Sequence, residues 1–130
     1  MTTDLTYLAW TALLTASLWI VYIAAQVMTN GFLTPENYLD PKPRPVPLWG
    51  ERANRAHLNA VESFAPFAAL VLIAHVTGRA DATTAFCAMA FFWLRLAHAI
   101  VYWLGLPFIR TIVFTLAWIA VVVLFVHVVW

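Results

Sequence analysis

The stretch FIRTIVFTLAWIAVVVLFVHVVW, Phe108–Trp130, decides the fold. It exceeds the roughly 20 apolar residues that carry an α-helix across a bilayer. Its only formal charge is Arg110, at one end, with His127 at the other. Working backwards, Gly105, Leu106 and Pro107 break the chain, and Ala82–Leu104 forms a second segment of this kind, interrupted by Arg95 and His98. Beyond the turn Thr77–Asp81 lies Leu48–Val76, polar from Glu51 to Glu62 and apolar from Phe64 onward. Residues 29–47 carry Pro35, Pro41, Pro43, Pro45 and Pro47, which fix an extended backbone and forbid continuous helix. They read as a loop at a membrane surface. Leu5–Met28, with Gln26 as its one strongly polar side chain, supplies a further span. It is too long for a signal-peptide core and has Asp4 rather than Lys or Arg before it, so it is expected to be retained.

Composition agrees with this division. Of 130 residues 64% are hydrophobic and 10% charged, against about 25% charged in a soluble domain. A water-soluble globule is excluded. The net charge of +1 gives no basic field for nucleic acid. Cys87 is the only cysteine, so there is no intramolecular disulfide and no Cys-rich metal site. The expected fold is a single all-α integral membrane domain over residues 1–130, a four-helix bundle with helices near 5–28, 48–76, 82–104 and 108–130.

Lys42, Arg44, Arg52, Arg55 and Arg110 fall on the side of the Pro-rich loop, against Arg79 alone on the other. The positive-inside bias puts the loop side in the cytoplasm and both termini outside. Tyr7, Trp10, Trp49, Tyr102, Trp103 and Trp130 sit at span ends, as interfacial aromatic belts do.

Charges inside a span cost a few kcal/mol each, so Arg95 and Glu62 are expected to face the bundle interior. At about 100° per residue Glu51, Arg55, Asn59 and Glu62 share one narrow face of the second long helix. Arg95, His98 and Tyr102 share a face of the third. Depth along the axes, at about 1.5 Å per residue, makes Glu62 and Arg95 neighbours, with a neutralising clamp between helices favoured over ligand contact. Nearer the loop side Arg52, Arg55, Asn59, Tyr102 and Arg110 are expected to converge as a donor-rich pocket that invites an anion, helped by the dipole at the start of the fourth helix. His57, His75 and His127 lack metal-ligand spacing and read as packed or interfacial, and His98 as a structural hydrogen bond. Ser17 and Ser63 have no base at matching depth, so serine-type nucleophilic catalysis finds no support.

The run Glu51-Arg52-Ala53-Asn54-Arg55-Ala56-His57-Leu58-Asn59-Ala60-Val61-Glu62, followed by Ser63-Phe64-Ala65-Pro66-Phe67, resembles the signature of the MAPEG family, the membrane-associated proteins in eicosanoid and glutathione metabolism. Arg95-Leu96-Ala97-His98, Tyr102 and Pro107-Phe108-Ile109-Arg110-Thr111 match the family's third and fourth helices. The compact length and Pro-rich loop are similar to bacterial members, and Leu58 stands where certain relatives carry another Arg. The resemblance implies a homotrimer in a bacterial inner membrane, with glutathione as co-substrate bound between subunits near the cytoplasmic face. Arg55, His57, Asn59, Glu62 and Tyr102 are then binding candidates, with Arg52 beside them from the anion pocket. Arg110 and Thr111 are the catalytic candidates, stabilising the glutathione thiolate. The implied activity is a glutathione-dependent transferase or peroxidase acting on lipophilic electrophiles that arrive from membrane lipid. The alternative is a non-catalytic membrane subunit or scaffold. No metal and no nucleic-acid partner are expected.

Overall fold

The computed structural model describes residues 1–40 and 42–130; Pro41, one of the loop prolines, lies outside the described residues. The elements are α1 (Thr3–Ser17), α2 (Trp19–Asn30), α3 (Pro35–Leu39), α4 (Leu48–Val76), α5 (Ala82–Leu104) and α6 (Pro107–Val129). Four stretches are long and apolar enough to cross a membrane: Thr3–Asn30, α4, α5 and α6.

Two details of the expected outline change. The first span is interrupted at Leu18, which still holds a helical backbone and donates its N–H to Leu14 O. The interruption coincides with Ser17, whose hydroxyl donates to Leu13 O at 2.8 Å, a back-bond of the kind that bends helices. The loop contains the short helix α3, started by Thr34, whose side chain accepts from the Asn37 N–H, and by Pro35 at the first turn.

α4 and α5 form the central pair: α4 packs against α1, α2, α5 and α6, and α5 against α1, α4 and α6. In the half of the bundle away from the Pro-rich loop Phe67 stacks on Phe91 with centroids 4.0 Å apart, in one cluster with Val71, Cys87, Ala117 and Leu124. Cys87 is buried there as a packing residue. Nearer the loop, alanines make the contacts: Ala53, Ala56, Ala60 and Ala99 are buried. Small side chains let helices approach closely where the bilayer supplies no hydrophobic drive. The same logic applies at Gly50, where a Cβ would come within 2.6 Å of Ala25 Cβ. α6 leaves Ile112, Ile119 and Val123 exposed along one face. Such an apolar face suits lipid or another apolar surface rather than water.

Short connections make successive long helices antiparallel. α5 ends at Gly105, whose φ of 73° closes the helix in the left-handed region that glycine enters without strain. At the other end Asp81 caps α5, accepting from the N–H groups of Thr83 and Thr84, and its second oxygen lies 2.9 Å from Nε2 of His127 near the end of α6. The Thr84 amide has the largest effect and, with the Thr83 amide and the nearby imidazole, outweighs the opposing effect of desolvation and holds the Asp81 carboxyl below its ordinary value. A depressed folded-state pKa stabilises above the unfolded value and loses that contribution as pH falls through the folded one. Thermal unfolding followed between about pH 2 and 5 is therefore expected to show a modest loss of stability as pH falls through and below the ordinary carboxylate range. Asp81→Asn, which keeps a cap acceptor but has no charge, is expected to flatten that loss; an unchanged profile would contradict the assignment.

Candidate functional site

The polar groups gather where α4 begins, α5 ends and α6 starts. Arg95, only 3% exposed, donates from Nη2 to Asn59 Oδ1 at 2.7 Å. One turn further along α5, His98 is buried edge-on to the Tyr102 ring at 5.5 Å. On the far side of Tyr102 the Arg110 guanidinium lies over the ring, 4.6 Å from its centroid. A cation over an aromatic face gains about 0.5–2 kcal/mol and is held in orientation.

Asn59, His98, Tyr102, Arg110, Thr111 and Phe114 line one cavity of about 260 Å³. It shares Asn59 and Phe114 with a second, of about 250 Å³, that runs deeper between α4, α5 and α6. Glu62, Ser63 and Arg95 supply the polar wall of the second cavity; Pro66, Phe91 and Trp118 contribute to its apolar wall. The two adjoin at Asn59 and Phe114 and make one groove, lined by Tyr102 and Arg110 at the end near the α5–α6 turn and largely apolar beyond Arg95. Pro66, which has no N–H, leaves the Glu62 carbonyl without its usual helical partner in this stretch of α4.

Donors outnumber acceptors along this groove. Arg95 Nε and Nη1 and His98 Nδ1 are buried without a hydrogen-bond partner. Buried polar atoms are normally satisfied, so an unpaired set beside a cavity suits a ligand that brings acceptors. Among the described residues no group of His, Cys, Asp and Glu is placed to hold a metal ion.

The expected site residues divide. Asn59, Tyr102, Arg110 and Thr111 come together around the first cavity, and Glu62 joins at the second. Glu62 is a correction in two respects: it is exposed in the single chain, and it makes no ion pair with Arg95, whose partner is Asn59. Asn59 lies about 4.5 Å further back along the α4 axis, and its short amide reaches the guanidinium without placing a carboxylate between helices. Arg52 is also redirected. Its Nε donates to Trp103 O at 3.2 Å and its guanidinium lies against Gly105. Because α4 and α5 are antiparallel, the first turn of α4 is level with the bare carbonyls ending α5, and a cation there is favoured by the dipole. Arg55 is exposed on the outer face of α4 and lines neither cavity, while His57 is half-buried with its Nδ1 unpaired.

Among the lining residues that escaped the sequence reading are His98 as a site group, Phe114 and Trp118. Their signal was present. Phe114 and Trp118 follow Arg110 at intervals of four residues and so share its face of α6, but in a segment apolar all round nothing separates a cavity wall from a lipid-facing residue.

Fold and site together define a polytopic four-helix membrane protein whose cationic, donor-rich groove begins near the α5–α6 turn and becomes largely apolar beyond Arg95. The sequence model of the MAPEG family matches residues 5–130, and the chain belongs to that family. No curated protein matches it.

Proposed function

We propose that this protein is a membrane-bound glutathione-dependent transferase or peroxidase that acts on lipophilic electrophiles, working as a homotrimer with its groove facing the cytoplasm, in a bacterial inner membrane. The observation that carries this reading is the groove itself: Arg110, Tyr102, Asn59 and His98, although in contact with neighbouring side chains, still line open space of about 260 Å³.

The residues fit the co-substrate on charge. Arg95 and Arg110 face Glu62 as the only carboxylate lining the groove among the described residues, so the groove favours an anion such as a peptide carboxylate or thiolate. Glutathione supplies a thiol whose ordinary pKa, about 8.5, falls beside a cation and which is a nucleophile once ionised. Arg110 supplies that cation, held over Tyr102 in the first turns of α6 where the helix dipole adds positive potential. Thr111 lies next to it with its hydroxyl 3.4 Å from Pro107 O, long enough to be turned towards a ligand. Asn59 and Tyr102 position the tripeptide, and Arg95 holds Asn59. Glu62 contributes an acceptor for an ammonium group. Arg55 and His57, which face away from the groove of their own subunit, contribute across a subunit boundary, and Arg52 fixes the level of α4 against α5. The apolar wall of Phe91, Phe114 and Trp118 receives the electrophile from the bilayer.

Isothermal calorimetry of the detergent-solubilised protein with glutathione, paired with turnover of a chromogenic aryl halide and of a lipid hydroperoxide, tests the reading. Saturable binding and turnover of at least one substrate are expected. Absence of both overturns it. Native mass spectrometry giving a monomer overturns the trimer independently.

A further inference from the structure

The sequence singled out a Pro-rich, basic loop that the groove does not use. The structure folds this loop back along α2, enclosing a cavity of about 270 Å³ that lies on different elements from the groove. We propose that this cavity seats an anionic phospholipid, with the phosphate at Lys42 and Arg44 and one acyl chain along α2. The inference is independent of glutathione chemistry.

Polarity is graded along the cavity as it is along a phospholipid. Its lower wall is Tyr22, Ile23 and Val27 of α2, closed on the loop side by Leu33 and Pro43. Its mouth carries Lys42 and Arg44. From Tyr22 to Asn30 the helix rises about 12 Å, enough to pass from the headgroup level into hydrocarbon. Charge at the mouth favours an anion. Asp40 is the one acid in the lining among the described residues, and its Oδ1 accepts the Lys42 backbone N–H at 3.0 Å, which turns the carboxylate towards its own loop. Neither the Lys42 ammonium nor the Arg44 guanidinium has a side-chain partner in the described residues, in contrast to Arg52 and Arg79, each of which donates to a carbonyl ending a helix.

The cavity is built before any lipid arrives. Gln26 Nε2 donates to the Tyr22 hydroxyl at 2.7 Å, and Asn30 Nδ2 donates both to Gln26 Oε1 at 3.1 Å and to the Pro45 carbonyl at 3.0 Å. This relay fastens the loop to α2. Pro43 and Pro45 restrict the backbone on either side of Arg44, so less entropy is lost when the guanidinium takes a phosphate. Arg is also suited to phosphate because its planar fork donates two parallel bonds.

The test is native mass spectrometry of the detergent-solubilised full chain with phosphatidylglycerol or phosphatidylcholine of identical acyl chains at equal concentration. Each surface cation near an anionic headgroup is worth about fivefold in affinity. Phosphatidylglycerol is expected to be retained at least about fivefold better than phosphatidylcholine, and the double variant Lys42→Gln/Arg44→Gln to abolish that preference while keeping wild-type helicity. Inorganic phosphate at millimolar concentration is expected to leave the lipid adduct in place. Equal retention of the two lipids by the wild type, an undiminished preference in the double variant, or displacement of lipid by free phosphate would each overturn the proposal. The comparison of lipids on the wild type needs no variant, so a misfolded substitution does not rescue it.

Discussion

Alanine in place of Arg110 is expected to lower kcat/KM for glutathione-dependent turnover by about 10²–10³-fold, the cost of removing one preorganised charge-stabilising donor from an active site. The prediction rests on the cation's placement. Arg110 is half-buried, lies over the Tyr102 ring at 4.6 Å and lines the cavity with Asn59 and Thr111. An acidity effect separates from a binding effect by its readout. The ultraviolet thiolate absorbance of bound glutathione is expected to fade in Arg110→Ala, and the pH profile of kcat to shift towards alkaline values, while calorimetry still detects a weakened complex. Arg110→Lys keeps the charge without the planar fork and is expected to fall between the two. Thr111→Val is expected to cost less than either. An Arg110→Ala enzyme within twofold of wild type would sink the assignment.

The second large effect is structural. Asn59→Leu removes the hydrogen-bond acceptor that the nearly inaccessible Arg95 has among the described residues and leaves a buried guanidinium without a partner there. Losing a hydrogen bond to a buried charged group costs about 1.5–3 kcal/mol. Equilibrium unfolding in mixed detergent micelles is expected to show a loss of that order, largely recovered in Asn59→Leu/Arg95→Met, where the charge is gone as well. Glu62→Gln is expected to change stability little, since Glu62 is exposed and forms no ion pair. The two single variants decide between Asn59 and Glu62 as the group that holds Arg95. If Glu62→Gln is the more damaging, the clamp expected from depth along the helices is the real contact, and the Asn59 bond is secondary.

That contrast shows where a sequence stops being readable. Helical phase and rise placed Asn59, Glu62, Arg95, His98 and Tyr102 on facing stripes at comparable depths, and the structure brings four of these to one groove wall with Glu62 beside them. Phase and rise locate a Cα to within about a turn. They do not say which of two polar side chains three residues apart wins a single guanidinium, because that depends on side-chain length and on the angle between helix axes. Arg52 illustrates the same limit. Its phase agreed with the stripe, but the acceptors nearest its flexible end are the bare carbonyls closing α5, and it takes the Trp103 carbonyl.

By itself the sequence determined that this chain lives in a bilayer, that it crosses it in four helical spans, and that its few charges collect towards one end. Those properties follow from local quantities: the length of apolar runs, the positions of Gly and Pro, and the cost of a charge in hydrocarbon. Only the tertiary structure decided that Asn59 rather than Glu62 holds Arg95, that Arg110 lies on Tyr102, and that the Pro-rich loop folds back on α2 to enclose a second cavity. Each of these depends on how close two helices or a loop and a helix come. That distance is set by alanines and Gly50 packed at the contacts, and residues many positions apart must settle it together.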